Sequence, residues 1–205
     1  MHYQTFWHDE YEYRSDIMEA IVARLNAMVH HFARVFVVRL DITFPAAYRS
    51  TRTSEEISKL MKRLVEIYTA NPTDPSKRVM MHYVVVREQT RDSDNPHYHL
   101  TLMFDGSKVD DGWTVLSLAE AILTRIVGEA AKGCIHLCDS QFSRHDGIKI
   151  QKPRQESIGC VLEVEQAEFN LAYSSVVRWL TYIAKTETKE SCPFRAKVFF
   201  CSRLT

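Results

Sequence analysis

The chain has 205 residues, 26 basic and 26 acidic side chains and a formal net charge of zero. That length suits one domain with a sizeable core. The charge balance argues against strong non-specific binding to nucleic acid or lipid, and no apolar run approaches the roughly 20 residues that span a bilayer.

The opening stretch MHYQTFWHDEYEYRSD is aromatic and acidic, unlike a signal peptide. Residues 15–32 then read as a first helix, with Asp16 and Glu19 as a capping pair and Ile17, Ile21, Leu25 and Met28 as its apolar stripe. Residues 34–45 alternate as a strand, with Leu40, Ile42 and Phe44 on one face, Arg39, Asp41 and Thr43 on the other, and Pro45 as its end. A second helix spans 53–68, with Thr53 and Glu56 as a capping box and Ile57, Leu60, Met61, Leu64 and Ile67 facing the core. After the turn-rich NPTDPSK, residues 78–89 form a strand, and TRDSDNP reads as a hairpin loop into the antiparallel strand HYHLTLMF at 97–104.

A third helix covers 114–131, with Gly133 at its stop. Residues 133–140 read as a strand, 143–157 as a basic, poorly patterned loop, 170–189 as a fourth helix and 195–203 as a closing strand. This order predicts an α+β fold, a mainly antiparallel central sheet flanked by helices. Residues 1–33 are read as an N-terminal helical extension and 34–205 as the principal domain.

Five cysteines, Cys134, Cys138, Cys160, Cys192 and Cys201, form an odd and scattered set, as in a cytoplasmic protein with reduced thiols. Cys134, His136 and Cys138 share a strand face and can be read as a zinc half-site, but no CxxC pair supplies the rest. The alternative is a buried strand with small sulfur side chains.

On the HYH strand, His97 and His99 point to one face and Tyr98 to the other. Glu88, at the end of the preceding strand, lies across the ladder from them. Two imidazoles and a carboxylate leave positions open for water or substrate. Hard oxygen ligands favour magnesium or manganese, and the imidazoles tilt the choice towards manganese or zinc. The competing reading is a solvated glutamate beside two surface histidines. On the fourth helix, Arg178, Tyr182, Lys185 and Lys189 fall on one stripe, opposite Tyr173, Val176, Leu180 and Ile183. A tyrosine among cations has its phenolate favoured, as a nucleophile requires, and those cations suit a phosphate. The plain alternative is a wet helix face.

HYH at 97–99, YIAK at 182–185, VVVRE ending at Glu88 and the strand VVRLDITF together resemble the motifs of the HUH single-strand DNA endonucleases. Within that superfamily the order, with the tyrosine after the histidines and a lysine three residues on, is most similar to single-tyrosine rolling-circle replication initiators of filamentous phages and related prophage proteins. The resemblance runs from about Arg34 to the C-terminus, with Tyr98 standing where the family usually has an aliphatic residue. It implies an HUH-type nuclease domain with RRM-like topology and a divalent metal, Mn2+ or Mg2+, held by Glu88, His97 and His99. It further implies that Tyr182 attacks phosphorus to leave a 5′-phosphotyrosine and a free 3′-hydroxyl, assisted by Lys185. Single-stranded DNA or an origin hairpin is the implied substrate, and a host helicase and polymerase are the implied partners. DNA contacts are expected from Arg39, Arg178, Lys189 and the loop cations Arg144, Lys149, Lys152 and Arg154. Three further readings compete: a single-tyrosine transposase, a non-catalytic DNA-binding regulator with the same fold, and a zinc-stabilised interaction domain. A two-histidine phosphoesterase is disfavoured, because HLTL at 99–102 has no second His-x-Thr or His-x-Ser partner in the chain.

Overall fold

Alternating apolar residues along three long strands build the frame: β1 Arg34–Thr43, β2 Met81–Glu88 and β3 His97–Asp105. β3 lies between the other two and is antiparallel to both. Short strands complete a six-stranded antiparallel sheet. These are β4 Ile135–Leu137, β5 Ile148–Gln151 and β6 Phe199–Cys201, and the order is β4-β1-β3-β2-β6, with β5 also on β1. β5 takes residues 34–37 of β1 and β4 takes residues 40–42, so the two share one edge end to end. The computed structural model describes residues 12–46, 48, 54–70, 74, 77–89, 95–139, 147–154, 163–187, 189 and 197–204.

Four helices join the strands: α1 Ser15–His31, α2 Glu55–Thr69, α3 Gly112–Val127 and α4 Glu163–Thr181. The stretch β1-α2-β2-β3-α3-β4, ordered 4-1-3-2 in the sheet, is a pair of interlocked split β-α-β units. The two sheet faces carry two cores. Even-numbered β1 residues Phe36, Val38, Leu40 and Ile42 pack against α2 and α3, together with Tyr98, Leu100, Leu102 and Phe104 of β3. On the opposite face, Val35 and Val37 join Val84, Val86 and Met103 beneath α1 and α4. Ile17, Ile21, Leu25 and Met28 of α1 are fully buried there, so this helix, inside the first 33 residues, is a wall of the second core.

Several local expectations are corrected. Asp16 does not cap α1 with Glu19: it accepts from the Ile17 amide and from Arg14, and no side chain caps the Arg14 N-terminus. Thr53 lies outside the described residues. Ser54 stands at the start of α2 with φ 61°, and its hydroxyl accepts from Tyr98 Oη and Arg87 instead of capping the helix. Ile67 is 40% exposed rather than in the core. α3 stops at Gly128, whose φ of 73° favours glycine, ahead of a 3-10 turn Gly128–Ala131, so Gly133 serves the next turn. The basic loop contains β5, where buried Ile148 and Ile150 alternate with exposed Lys149 and Gln151. Four residues are too few for that alternation to stand out. Finally, α4 ends at Thr181, and Tyr182–Ala184 form a 3-10 turn. Tyr182, Lys185 and Lys189 therefore do not continue an α-helical stripe.

Because α1 closes the second core, Leu25→Ala is expected to destabilise the protein by about 2–5 kcal/mol in urea unfolding. A loss within about 0.5 kcal/mol would mean that α1 does not share the cooperative core.

Candidate metal and tyrosine site

The register of the three long strands assembles the site on the α1/α4 face. His97 stands opposite Thr43 on one side and Glu88 on the other, and His99 stands opposite Asp41. Period-two geometry turns all five side chains to the same face and sends Tyr98 into the other core, where it is fully buried.

His99 is held between two carboxylates. Its Nδ1 lies 2.7 Å from Asp41 Oδ1, and its Nε2 lies 3.1 Å from Glu88 Oε2. His97 Nδ1 is 2.7 Å from Thr43 Oγ1, and its Nε2 is 3.7 Å from Asp41 Oδ2. The Nε2 atoms of both histidines are buried, that of His99 against Glu88 and that of His97 at the longer distance from Asp41. Each ring thus has Nδ1 engaged by a neighbour that orients it, while its Nε2 faces a carboxylate. Asp41, His97 and His99 bring ligand atoms within 4.8 Å of one another and could hold a metal ion. Glu88 adds a second carboxylate on the Nε2 side of His99.

Each carboxylate also has a cation. Arg39 donates to both Asp41 oxygens, at 3.2 and 3.0 Å. Lys189, whose side chain is buried, donates to Glu88 Oε1 at 2.8 Å. Burial works to raise the Asp41 carboxyl, but hydrogen bonds from His97 and His99 and the charges of His99 and Arg39 prevail and hold it well below the usual carboxylate range. Glu88 is lowered to about 2: burial opposes this, and His99 and Lys189 outweigh it. Burial would lower His99, but the hydrogen bonds and charges of Asp41 and Glu88 raise it. The two carboxylates thus favour the protonated form of His99.

Tyr182 is 45% exposed and meets this cluster directly. Its ring lies edge-on to that of His99 at 6.0 Å between centroids. Lys185 Nζ sits 4.0 Å and the Arg39 guanidinium 4.7 Å from the centre of the tyrosine ring. These cations stack on the ring rather than pairing with its oxygen. Asp41, Glu88, Gln89, Asn95, His97, His99 and Tyr182 line one open cavity of about 290 Å³. The turn that carries Tyr182 is fastened to the N-terminal segment: Tyr13 bridges Lys185 in antiparallel pairing, Arg14 N–H donates to Ala184 O at 2.9 Å, and Thr186 N–H donates to Glu12 O at 3.0 Å.

Other expected site residues fall elsewhere. Arg178 is exposed in the last turn of α4. Lys149 pairs with Asp110, Lys152 donates to His30 O, and the backbone of Arg154 donates to Glu165. Lys149 stands opposite Phe36, five β1 residues from Asp41, which is about 17 Å along the strand. Arg144 lies outside the described residues. Lys189 belongs to the site, but its ammonium is on Glu88 rather than directed to solvent. Cys134 is buried and donates to Ala130 O, whereas His136 is exposed, so Cys134, His136 and Cys138 are not arranged as a zinc half-site. Cys138 neighbours Asp41 instead, and burial pushes its thiol up to about 12. Cys160 and Cys192 lie outside the described residues. The sequence reading missed the roles of Thr43, of Arg39 as a cover for Tyr182 and of the 12–14 segment. Only Thr43 carried a signal, its strand parity with Asp41.

The family model described as the YagK/YfjJ C-terminal domain matches residues 1–202. No curated protein and no solved structure matches the chain. Among the described residues, no helix is long and apolar enough to cross a membrane.

The charge on His99 sets a pH dependence. Its folded value is raised above 6.5, so in the metal-free protein its stabilising contribution is complete below the unfolded value and is lost as pH rises through the folded one. Metal binding runs the other way, because the proton must leave Nε2. The rise in melting temperature produced by Mn2+ is therefore expected to grow from about pH 6 to pH 8. A metal-induced shift that stays constant over that range would contradict this arrangement.

Proposed function

We propose that this chain, which belongs to the YagK/YfjJ C-terminal domain family, nicks and rejoins single-stranded DNA through a covalent bond between Tyr182 and a 5′-phosphate. The observation that carries the reading is the convergence of two imidazoles, two carboxylates and a tyrosine on one open cavity. Support also comes from the order of the HYH and YIAK motifs, which resembles that of single-tyrosine replication initiators.

The proposed ligands for a divalent ion, Mn2+ or Mg2+, are the Nε2 atoms of His97 and His99 and Glu88; such an ion would replace the direct contact between His99 and Glu88. Asp41 then orients His99 through Nδ1, as an outer carboxylate does for a metal-bound histidine. An ion held there would supply Lewis-acid stabilisation of charge on the phosphate oxygens. Tyr182 Oη forms the new bond to phosphorus, the P–O3′ bond breaks, and O3′ departs with a proton as a free hydroxyl. The phosphotyrosine keeps the bond energy, so attack by a 3′-hydroxyl reverses the step and rejoins a strand. Lys185 and Arg39 position the ring and place positive charge beside the phosphate. Only a flexible, unpaired strand can bring its backbone into a cavity set between the ends of the central strands and the Tyr182 turn. Initiation of rolling-circle replication is the cellular role this chemistry suits, because the released hydroxyl can prime a polymerase.

Incubation with single-stranded oligonucleotides and Mn2+ should give a DNA adduct that mass spectrometry maps to Tyr182. Tyr182→Phe should abolish it, and His99→Ala should slow it by a factor on the order of 10²–10³. An adduct that persists in Tyr182→Phe, or folded protein that binds DNA and never forms an adduct with Mn2+ or Mg2+, would overturn the proposal; the second result would favour a non-catalytic regulator.

A further inference from the structure

The two carboxylates at the site do not confront an incoming cation as bare charges. Asp41 is held by Arg39 and Glu88 by Lys189. Arg39 and Lys189 are themselves buried, at 7% and 5% exposure, so solvent screens them little. Lys185 adds a third positive charge against Tyr182. Each carboxylate of the cavity thus already has a buried cation against it before any metal arrives. A site devoted to a resident ion would leave its carboxylates uncompensated, because the affinity of hard cations rises with ligand charge.

We infer that Lys189 and Arg39 detune the metal site, so that the ion binds weakly by itself and tightly only together with an anionic phosphodiester. The inference rests on the proposed DNA chemistry for its anion, but its electrostatic half rests on the ion pairs alone. The phosphodiester brings the negative charge that the paired carboxylates no longer offer, and the ion in turn strengthens the hold on the phosphodiester, since coupling between two ligands is reciprocal. The arrangement also gives Lys189 a definite place. It ties the segment after Tyr182 to Glu88, and Glu88 keeps its second oxygen on His99, so loss of Lys189 removes a charge without releasing the carboxylate.

The test titrates Mn2+ by electron paramagnetic resonance into the Tyr182→Phe protein, which cannot form an adduct, with and without a mixed-sequence single-stranded oligonucleotide. The same titrations are repeated after adding Lys189→Met or Lys189→Arg, with circular dichroism to check folding. Without DNA, Lys189→Met should bind Mn2+ roughly 5- to 150-fold more tightly than the parent, and Lys189→Arg should match the parent. The oligonucleotide should tighten Mn2+ binding by a similar factor in the parent and by clearly less in Lys189→Met. Folded Lys189→Met that binds Mn2+ no more tightly than the parent would overturn the detuning. A Lys189→Met gain with no effect of the oligonucleotide on any protein would uphold the detuning and sink the phosphodiester as its partner. If Lys189→Met does not fold, the parent decides: equal Mn2+ affinity with and without DNA refutes the coupling.

Discussion

The position of His99 between Asp41 and Glu88 is the constraint on which the site depends. Three strands must hold one register for it to exist, with Asp41 facing His99 on one side and Glu88 facing His97 on the other. A slip of one residue in any of them would turn its polar side chains into the α2/α3 core and its apolar ones into the cavity. The full burial of Leu40, Ile42, Tyr98 and Leu100 on the opposite face therefore does more than stabilise the fold. It makes the alternative register too costly, and so fixes where the imidazoles and carboxylates stand.

The helices complete what the sheet begins. A four-stranded 4-1-3-2 arrangement has two faces to cover, and α2 and α3 cover only one. α1 and α4 close the other along most of its length and leave the end where β1 finishes and β3 starts to the cavity. α4 stops at Thr181 and tightens into a 3-10 turn, and this change of pitch lays Tyr182 beside His99. Backbone hydrogen bonds from residues 12–14 then hold the turn. The segment at residues 12–14 thus sets the aim of the tyrosine, although the histidines sit at the middle of the chain.

Much of this was legible in residue order. Strand parity alone placed His97 and His99 together, sent Tyr98 to the core and brought Glu88 across the ladder, because antiparallel neighbours with a short connection leave little choice of pairing. The apolar stripe of α1 and the antiparallel α+β architecture were legible for the same reason: long periodic segments carry their own signal. What stayed hidden depends on ends and on partners distant in sequence. The stop of α4 has no glycine or proline to announce it, so an α-helical wheel carried Lys189 past the true end and pointed it at solvent. In the fold Lys189 turns inward, because a half-buried Glu88 at the end of β2 offers it a charge-assisted hydrogen bond. The Arg39–Asp41 pair was visible as two polar residues of equal parity, but its position over Tyr182 required the fold.

A carboxylate–imidazole–carboxylate row is chemically ambiguous: a proton on His99 satisfies it, and so does a metal. The Nε2 atoms of His97 and His99 face carboxylates, and Asp41, His97 and His99 could hold a metal ion. The most direct measurement is anomalous X-ray scattering at the manganese edge from crystals grown with Mn2+. The account predicts a single strong peak within coordination distance of both Nε2 atoms and of Glu88, facing Tyr182. A protein saturated with Mn2+ that showed no peak in this cavity, or one bound away from both histidines, would contradict it.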